Sequence, residues 1–340
     1  MTTETTLGLV GASNMAMTWM LPALQVAGVA VRGLYDNEPH RFRYWTDSGI
    51  DGQTTNLDQL LGSDIDAVYI SSRNDQHVTQ TVAAAAAGKH VLVEKPMALD
   101  LAGAQTMIDA ARRHGVVLAV NHHLVASPLH ATARRLVQQG RIGNLVAARV
   151  NHAGLLPAHL RGWRMTRTPG AGVIMDLTVH DASVLNPLFG CSPVEVTAFA
   201  AAQATWNEAG ATDSAMTLLR YPTPGGGPDR LASTHDSFAV AGLETTMEIL
   251  GDEGAIVITD AMTQITDGRV YLHASGRVET VEIDISRSLY VTLLEAFVTA
   301  IRGDGRPTVT GQEGRAALKV AIAAERAAAT GRTVALEELH

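Results

Sequence analysis

The feature that most constrains the fold is a regular alternation of short apolar runs and helical stretches over the first third of the chain. The apolar runs, each of strand length, are Thr6–Val10, Val29–Tyr35, Ala67–Ser71, His90–Val93 and Val117–Val120. The helical stretches between them are Met15–Ala27, a helix opening near Pro39, Gln76–Ala87 and Leu101–His114. The last two stop at Gly88 and Gly115, the usual C-terminal residue. Alternation at this spacing predicts a parallel, doubly wound sheet.

The pattern changes after Asn121. Between Glu195 and Ile283 alternating runs follow one another without a long helix, which predicts a large, mainly antiparallel sheet with an exposed face. The other elements predicted here are Pro128–Gln139, Leu145–His152, Leu289–Arg302 and Gly311–Thr330. The sequence therefore predicts an α/β protein, with an N-terminal Rossmann domain over residues 1–122 and a C-terminal α+β domain over residues 123–340.

Length and composition exclude several classes of protein. The chain has 340 residues, enough for two domains, and 46% apolar with 18% charged residues is typical of a soluble globular enzyme. The net charge is −8 without a basic run, so neither nucleic acid nor an anionic membrane is an expected partner. No apolar stretch approaches the ~18 residues of a membrane span and no secretory signal is recognisable, so a cytoplasmic location is expected. The single Cys191 excludes an intrachain disulfide.

A lysine follows the fourth apolar run, in the segment Glu94-Lys95-Pro96. The proline keeps Lys95 in extended backbone at the carboxyl end of a strand, which is the ligand-binding edge of an open α/β sheet. Of 26 basic residues only Lys89, Lys95 and Lys319 are lysines. Because a buried lysine can give up a proton near neutral pH and an arginine cannot, Lys95 is predicted to take part in proton chemistry. The alternative is a surface lysine that caps a strand.

The first strand is followed by a segment typical of a dinucleotide phosphate loop. It starts at Gly11, and Ser13 and Ala16 stand where the fingerprint has its second and third glycines. Backbone amides and a helix N-terminus would meet the pyrophosphate here. Because the fingerprint is imperfect, an ordinary tight turn between strand and helix is the alternative.

Asp36 stands at the end of the second strand, 20 residues after Ala16. A carboxylate at this place accepts hydrogen bonds from the adenosine ribose hydroxyls and repels a 2′-phosphate, which favours NAD(H). Arg41 could bind that phosphate, so NADP(H) remains an alternative cofactor. Asp36 could instead cap the helix that opens near Pro39.

Asp176 and His180 form the second candidate site, because a helix over Met175–Leu188 would place them on one face at i and i+4. A histidine can donate a proton near neutral pH, and a carboxylate one turn away can orient it or hold a substrate hydroxyl. A capping Asp with a core His is the alternative. A metal site would need a third ligand such as His122 or His123, and no metal is predicted.

Taken in order, these motifs resemble the glucose–fructose oxidoreductase / inositol dehydrogenase / MocA family, and the likeness runs nearly end to end. The matching segments are the phosphate loop Gly11–Ala16, the segment Ser71–His77, the hallmark Ala87–Pro96, and Asp176 with His180. Residues 121–124, 159–164 and 172–182 are similar to segments of the family's anhydrosugar reductases. Val125 departs from their pattern, which has an arginine there, and Asp36 replaces the small polar residue of NADPH-preferring members.

The resemblance implies hydride transfer between nicotinamide and a carbinol or keto carbon of a sugar, anhydrosugar or cyclitol. The implied catalytic residues are Lys95, which polarises the reacting oxygen, His180, which exchanges the proton, and Asp176, which orients the substrate or the imidazole. The implied cofactor contacts are Gly11, Ser13, Asn14, Met15, Asp36, Arg41, Ser71, Ser72, Asn74, His77, Glu94, Lys95, Asn121, Trp163 and Arg164. The implied substrate contacts are Lys95, His122, His123, Trp163, Asp176 and His180.

The second domain is expected to bind the substrate and to form a homodimer or homotetramer through its exposed sheet face. Trp163 and Arg164 could instead anchor a long loop. A non-catalytic NAD(P)-binding sensor or scaffold, and redox-coupled cleavage of a glycoside, remain alternative functions of the same fold.

Overall fold

The structure, a computed structural model, describes residues 5–50 and 52–340. These form two compact units. The first contains the described residues up to His123 together with Arg287–Arg315, and the second contains Leu124–Ser286 together with Ala316–His340. The predicted second domain ran without interruption from residue 123 to 340, whereas residues 287–315 return to the first unit.

A six-stranded parallel sheet forms the core of the first unit, and it confirms the predicted doubly wound fold. Its strands are β1 (Thr6–Val10), β2 (Ala30–Tyr35), β3 (Gln53–Thr54), β4 (Ala67–Ile70), β5 (His90–Val93) and β6 (Leu118–Val120). They are arranged in the order β3-β2-β1-β4-β5-β6, and every neighbouring pair is parallel. The order reverses between β1 and β4, and in such sheets ligands bind at the carboxyl ends of the strands beside that point.

A nine-stranded mixed sheet dominates the second unit. Its strands are β7 (Leu145–Ala153), β8 (Glu195–Ala201), β9 (Ser214–Tyr221), β10 (Arg230–Ser237), β11 (Thr246–Gly251), β12 (Gly254–Thr259), β13 (Val270–Ala274), β14 (Arg277–Val281) and β15 (Val334–Ala335). The order is β14-β13-β12-β11-β7-β10-β9-β8-β15. Only β7 and β10 pair in parallel, so the prediction of a mainly antiparallel sheet is confirmed.

The α-helices lie close to their predicted positions, except α2, which was not predicted. They are α1 (Leu21–Val26), α2 (Leu57–Leu61), α3 (His77–Ala86), α4 (Leu101–His114), α5 (Pro128–Gln138), α6 (Val179–Phe189), α7 (Leu289–Ile301) and α8 (Gly311–Thr330). Single π-helical turns, Ala16–Met20 and Ile174–Thr178, run directly into α1 and α6. Short 3₁₀ helices lie at Pro39–Tyr44, Asn74–Gln76, His123–Ala126, Ala158–Leu160, Trp163–Met165 and Leu336–Glu338. Among the described residues, no helix has both the length and the apolar character needed to cross a membrane.

The two faces of the nine-stranded sheet differ in burial. On one face the side chains of β7, β9 and β10 alternate into the core, where α6 packs against β7. The opposite face leaves large apolar side chains in solvent, among them Phe199, Met216, Leu218 and Leu231. The predicted exposed face is therefore present.

The segment that returns to the first unit continues its sheet edge. The N–H of Val120, at the end of β6, donates to the carbonyl oxygen of Val309 at 3.0 Å, and Ala119 forms an isolated antiparallel bridge with Thr310. Helix α7 packs against α1. The sequence showed that a helix begins near Leu289 but not which unit it joins, because that choice depends on contacts distant in the chain.

The backbone at Gly11 comes unusually close to the segment after β4. Gly11 has a φ of +106°, and a Cβ at this residue would lie 2.6 Å from the backbone nitrogen of Ser72. Its N–H donates to the carbonyl oxygen of Tyr35 at 2.8 Å. Both the left-handed backbone and the lack of space require glycine here.

Replacing Gly11 by Ala is expected to destabilise the protein more than replacing Gly28, a matched control. Gly28 also has a positive φ, +67°, but a Cβ there meets no atom within 4 Å. Gly28→Ala should therefore cost about 1–2 kcal/mol from backbone strain alone. Gly11→Ala should cost clearly more because the backbone at Ser72 must move. Urea unfolding followed by tryptophan fluorescence measures both costs, and equal costs would contradict the close approach.

Candidate active site

The phosphate loop is tied to the end of β4 by two serines. The hydroxyl of Ser13 accepts a hydrogen bond from the Ala16 N–H at 3.0 Å and donates one to Ser71 Oγ at 2.8 Å. Ser71 Oγ in turn donates to the carbonyl oxygen of Gly11 at 3.2 Å. Ser13, which replaces the second glycine of the fingerprint, therefore caps the helix that follows.

The loop offers donors that suit a pyrophosphate. Within the described parts of the chain, the backbone N–H groups of Ser13, Asn14 and Met15 donate no hydrogen bond. They stand at the first turn of the helix, where unpaired amides and the helix dipole bind anionic oxygens. Together with the close approach at Gly11, these donors fit the phosphates of a dinucleotide.

Asp36 fixes the loop to the end of β2. The side chain is buried, and its oxygens accept the N–H groups of Ala12 and Glu38, both at 2.8 Å. Arg41 Nε lies 2.9 Å from Glu38 Oε2 and 4.0 Å from Asp36 Oδ1. Arg41 lowers the pKa of Glu38 through their hydrogen bond and charge. A 2′-phosphate here would face two carboxylates and an arginine that is already paired.

The segment after β4 is connected to Lys95-Pro96 through His77. The ring of His77 is fully buried, with Nδ1 3.0 Å from the carbonyl oxygen of Pro96 and Nε2 3.1 Å from that of Ser72. Burial lowers its pKa. Asn74, another predicted cofactor contact, begins the 3₁₀ helix that precedes α3. His77 therefore links two segments at the carboxyl edge of the sheet.

Glu94 is a buried carboxyl that joins three neighbouring strand ends. It follows β5 and accepts hydrogen bonds from the hydroxyl of Tyr69 on β4 and from the amide of Asn121 after β6. Burial raises its pKa, while these two bonds and the charge of Lys95 oppose the rise. The backbone N–H of Lys95 donates to Glu94 Oε2 at 3.3 Å, and the Lys95–Pro96 peptide bond is cis.

His122 and His123 lie beside this cluster and are both buried. Burial, with a smaller contribution from the charge of Lys95, lowers the pKa of His122 to about 3, so its imidazole is neutral at pH 7. The ring of His123 stacks on Tyr290 with centroids 4.9 Å apart, and the Tyr290 hydroxyl lies 3.7 Å from Met15 Sδ. The contact of either histidine with a substrate stays a prediction.

In the second unit, Asp176 stands on the π-helical turn before α6 and is bound by an arginine. Asp176 Oδ2 accepts a hydrogen bond from Arg164 Nε at 2.8 Å, and both side chains are largely buried. The Arg164 guanidinium lies 4.9 Å from the ring centroid of Trp163, whose residue is 46% exposed. The structure thus brings together three predicted site residues. Single π turns within helices often occur at functional sites.

His180 lies one turn further along, within α6, and is also buried. Its ring centroid is 6.2 Å from that of His152 on β7. His152 Nδ1 is 2.8 Å from Asp181 Oδ1, and Asp181 lies beside Asp236. His180 therefore belongs to a buried group of titratable side chains.

Several residues of these clusters were not predicted from the sequence. Asp181 directly follows His180 and carried a local signal, a carboxylate beside a predicted proton donor. Tyr69 lay unnoticed within an apolar strand. Nothing local distinguished His152, Asp236 or Tyr290, because each is far in sequence from the residues that it contacts.

Comparison with known proteins identifies both parts of the chain. Residues 5–122 match the model of an oxidoreductase family with an NAD-binding Rossmann fold, and residues 130–257 match the GFO/IDH/MocA C-terminal domain. The chain is 40% identical over 97% of its length to 1,5-anhydro-D-fructose reductase from Ensifer adhaerens, covering 98% of that protein. It is 26% identical to myo-inositol 2-dehydrogenase from Thermotoga maritima, with 81% of both chains covered.

Solved structures share the whole fold. A levoglucosan dehydrogenase in complex with NADH and levoglucosan superposes with a TM-score of 0.83 at 21% identity, covering 98% of this chain and 99% of that one. An aldose–aldose oxidoreductase from Caulobacter crescentus, complexed with glycerol, gives a TM-score of 0.87 at 23% identity over 98% and 99% of the two chains. From its two matched domains and its full-length relatives, the chain belongs to the GFO/IDH/MocA family of NAD(P)-dependent oxidoreductases.

Proposed function

We propose that this oxidoreductase transfers a hydride between NAD(H) and a carbinol or keto carbon of a small sugar, with 1,5-anhydro-D-fructose as the first substrate to test. The observation that carries the proposal is the environment of Lys95, beside a buried carboxyl and a neutral histidine at the ligand edge of the Rossmann sheet. The 40% identity to an anhydrofructose reductase over nearly the whole chain supports the choice of substrate.

Each predicted catalytic residue has a distinct task in this proposal. The nicotinamide, when bound, supplies or accepts the hydride. Lys95 donates a hydrogen bond from its ammonium group to the reacting oxygen and stabilises negative charge there. His180 gives that oxygen its proton in reduction and removes it in oxidation. Asp176, held by Arg164, orients the imidazole or a substrate hydroxyl, and Trp163 covers the nicotinamide end.

The neighbours of Lys95 favour this role. His122 is neutral, so it adds no second positive charge that would repel a cation or compete for the reacting oxygen. Glu94 lies close enough for its charge and that of Lys95 to interact. Because Tyr69 and Asn121 hold the Glu94 carboxyl, that interaction has a fixed geometry.

Replacing Lys95 with Met should lower kcat by about 10²–10⁴-fold, the usual scale for a positioned proton-handling group. The dissociation constant for NAD(H) should change little, because the phosphate loop is expected to make most of the contacts that bind the dinucleotide. Lys89→Met is the control, because the half-buried Lys89 bonds only the backbone carbonyl oxygens of Ser63 and Ile65. Kinetics with NADH and 1,5-anhydro-D-fructose, and fluorescence titration of NADH, measure both effects. Near-normal turnover in Lys95→Met would contradict the assignment.

Two other functions would give different results in the same assays. A non-catalytic sensor would bind NAD(H) and turn over no member of a panel of anhydrosugars, aldoses and cyclitols. Redox-coupled glycoside cleavage would release an aglycone without net consumption of the cofactor.

The surroundings of Asp36 support a preference for NAD(H). Its carboxylate stands beside Glu38, and Arg41 is paired with both, so a 2′-phosphate would gain little from the arginine. Arg41 is also partly exposed, which screens its attraction at physiological salt. Hydrogen bonds from the ribose hydroxyls to Asp36 stay a prediction.

In wild type, kcat/KM should therefore be higher with NADH than with NADPH, with NADPH still measurable. Asp36→Ser should flatten or reverse that order, because it removes the repulsion. Glu38→Gln should shift the cofactor preference in the same direction, because it releases Arg41. This substitution leaves the two hydrogen bonds that Asp36 accepts from backbone N–H groups in place. Steady-state kinetics give kcat/KM with NADH and with NADPH for wild type and both variants. A strong wild-type preference for NADPH would show that Arg41 dominates.

The exposed face of the nine-stranded sheet supports assembly with a second copy of the chain, as a homodimer or homotetramer. Phe199 pairs with Met216 across β8 and β9, and the two are 78% and 60% exposed. Leu218 and Leu231 on β9 and β10 are 59% and 58% exposed. Contiguous apolar side chains of this kind mark an interface more often than a bare surface. The proposed location of the assembly is the cytoplasm.

Leu218→Arg should therefore dissociate the assembly, because it places a charge at the centre of the apolar face. Val26→Arg is the matched control, since Val26 is 75% exposed but lies in the first unit, at the end of α1. Light scattering coupled to size-exclusion chromatography gives the mass of each variant. A wild-type monomer, or a Leu218→Arg protein with unchanged mass, would contradict the proposed interface.

A further inference from the structure

Three polar side chains meet on the buried face of the nine-stranded sheet, beneath α6. His152 comes from β7, Asp181 from α6 and Asp236 from β10, and their polar atoms lie within 4.8 Å of one another. Asp181 and Asp236 are fully buried. Asp236 Oδ2 accepts the hydroxyls of Thr178 and Thr234 at 2.6 and 3.0 Å.

The two carboxyl groups share a proton. One oxygen of each lies within 4.8 Å of one of the other, and in the described part of the chain Asp181 Oδ2 and Asp236 Oδ1 accept no hydrogen bond from any donor. Two carboxylates this close in a buried site cannot both be ionised. Because two hydroxyls occupy Oδ2 of Asp236, the shared proton belongs on its Oδ1 and points to Asp181. Burial raises the pKa of Asp181 to about 7, and burial with the charge of Asp181 raises that of Asp236 further.

This arrangement fixes the tautomer of His152. Asp181 Oδ1, 2.8 Å away, accepts the proton on His152 Nδ1, which leaves Nε2 as the basic nitrogen. A carboxylate in this place also stabilises the imidazolium that forms when Nε2 takes up a proton. The rings of His152 and His180 lie 6.2 Å apart between centroids, a separation that one water can bridge.

We propose that His152, oriented by Asp181, is the second proton-handling residue of the enzyme and exchanges protons with His180. The proposal deepens the proposed function and rests on it. In reduction, the imidazolium of His180 gives its proton to the reacting oxygen and becomes neutral. The imidazolium of His152 then passes one proton to His180 and is reprotonated from solvent. In oxidation each transfer runs in reverse, so protons balance in both directions.

Four titratable side chains are described around His152. Asp181 and His180 face it from α6, Asp236 from β10 and His130 from α5. Burial lowers the pKa of His130 to about 4, so it stays neutral at the pH of the assay. The pH profile therefore reports the cluster as a whole, because Asp181 and Asp236 titrate as a coupled pair.

Two isosteric substitutions separate proton exchange from mere packing. In Asp236→Asn the amide keeps both roles of the protonated acid, donating to Asp181 and accepting the two hydroxyls. In Asp181→Asn the amide oxygen can still accept the proton of His152 Nδ1, but the charge that stabilises the imidazolium is removed. Thr217→Val, on the same buried sheet face, is the control for loss of a buried polar atom. Its hydroxyl has no partner among the residues described.

Asp181→Asn should lower kcat about 10–100-fold, less than a group that contacts the substrate, with KM nearly unchanged. It should also flatten the pH profile of kcat near neutrality. Asp236→Asn should lower kcat much less and keep the wild-type pH profile. Thr217→Val should have the kcat and the pH profile of wild type. Imidazole added to His152→Ala should restore part of the lost activity. Equal losses in Asp181→Asn and Asp236→Asn, with parallel pH profiles, would overturn the proposal.

A readout that does not depend on turnover separates this proposal from the proposed function. Nitrogen-15 NMR of histidine-labelled protein should show neutral His152 protonated at Nδ1 in wild type and Asp236→Asn, and its imidazolium should form only at lower pH in Asp181→Asn than in either of these proteins. An Nε2–H tautomer in wild type, or one equivalent of tightly bound metal in the purified protein, would overturn the assignment. If no sugar is turned over but the tautomer is as expected, the reaction is wrong and the geometry of His152 stands.

Discussion

The carboxyl group of Glu94 is the contact on which the first unit's site depends. It lies at the end of β5, accepts hydrogen bonds from Tyr69 on β4 and Asn121 after β6, and stands next to Lys95. A buried carboxyl needs such partners, because burying it without a hydrogen bond would cost about 1–3 kcal/mol, and more if it were charged. One acid therefore fixes three strand ends and the backbone that carries the lysine.

The buried histidines differ in whether their surroundings keep them neutral. His122 and His130 are fully enclosed, and burial lowers their pKa to about 3 and about 4, so neither carries charge at pH 7. His152 instead faces a carboxylate that can stabilise its charged form. The fold thus separates histidines that pack from histidines suited to proton transfer, and the difference lies in their neighbours.

Much of the fold followed from local pattern, and much of the site did not. β1, β5, α4 and α8 begin and end where the sequence predicted, because caps, glycines and apolar runs act locally. The return of 287–315 to the first unit, the bonds of Tyr69 and Asn121 to Glu94, and the His152–Asp181–Asp236 cluster required contacts between distant segments. Asp36 was predicted only in part. Its position was predicted, whereas its two bonds to backbone amides were not.

The central claim is hydride transfer from NADH to a keto carbon of a sugar. The most direct measurement uses NADH deuterated at C4 and follows the product by NMR. With 1,5-anhydro-D-fructose or a related keto sugar, we expect one deuterium at the new carbinol carbon, delivered from one face of the nicotinamide only. Absence of deuterium from every product of a keto-sugar and keto-cyclitol panel, in protein shown by titration to bind NADH, would contradict the account and identify a binding protein instead.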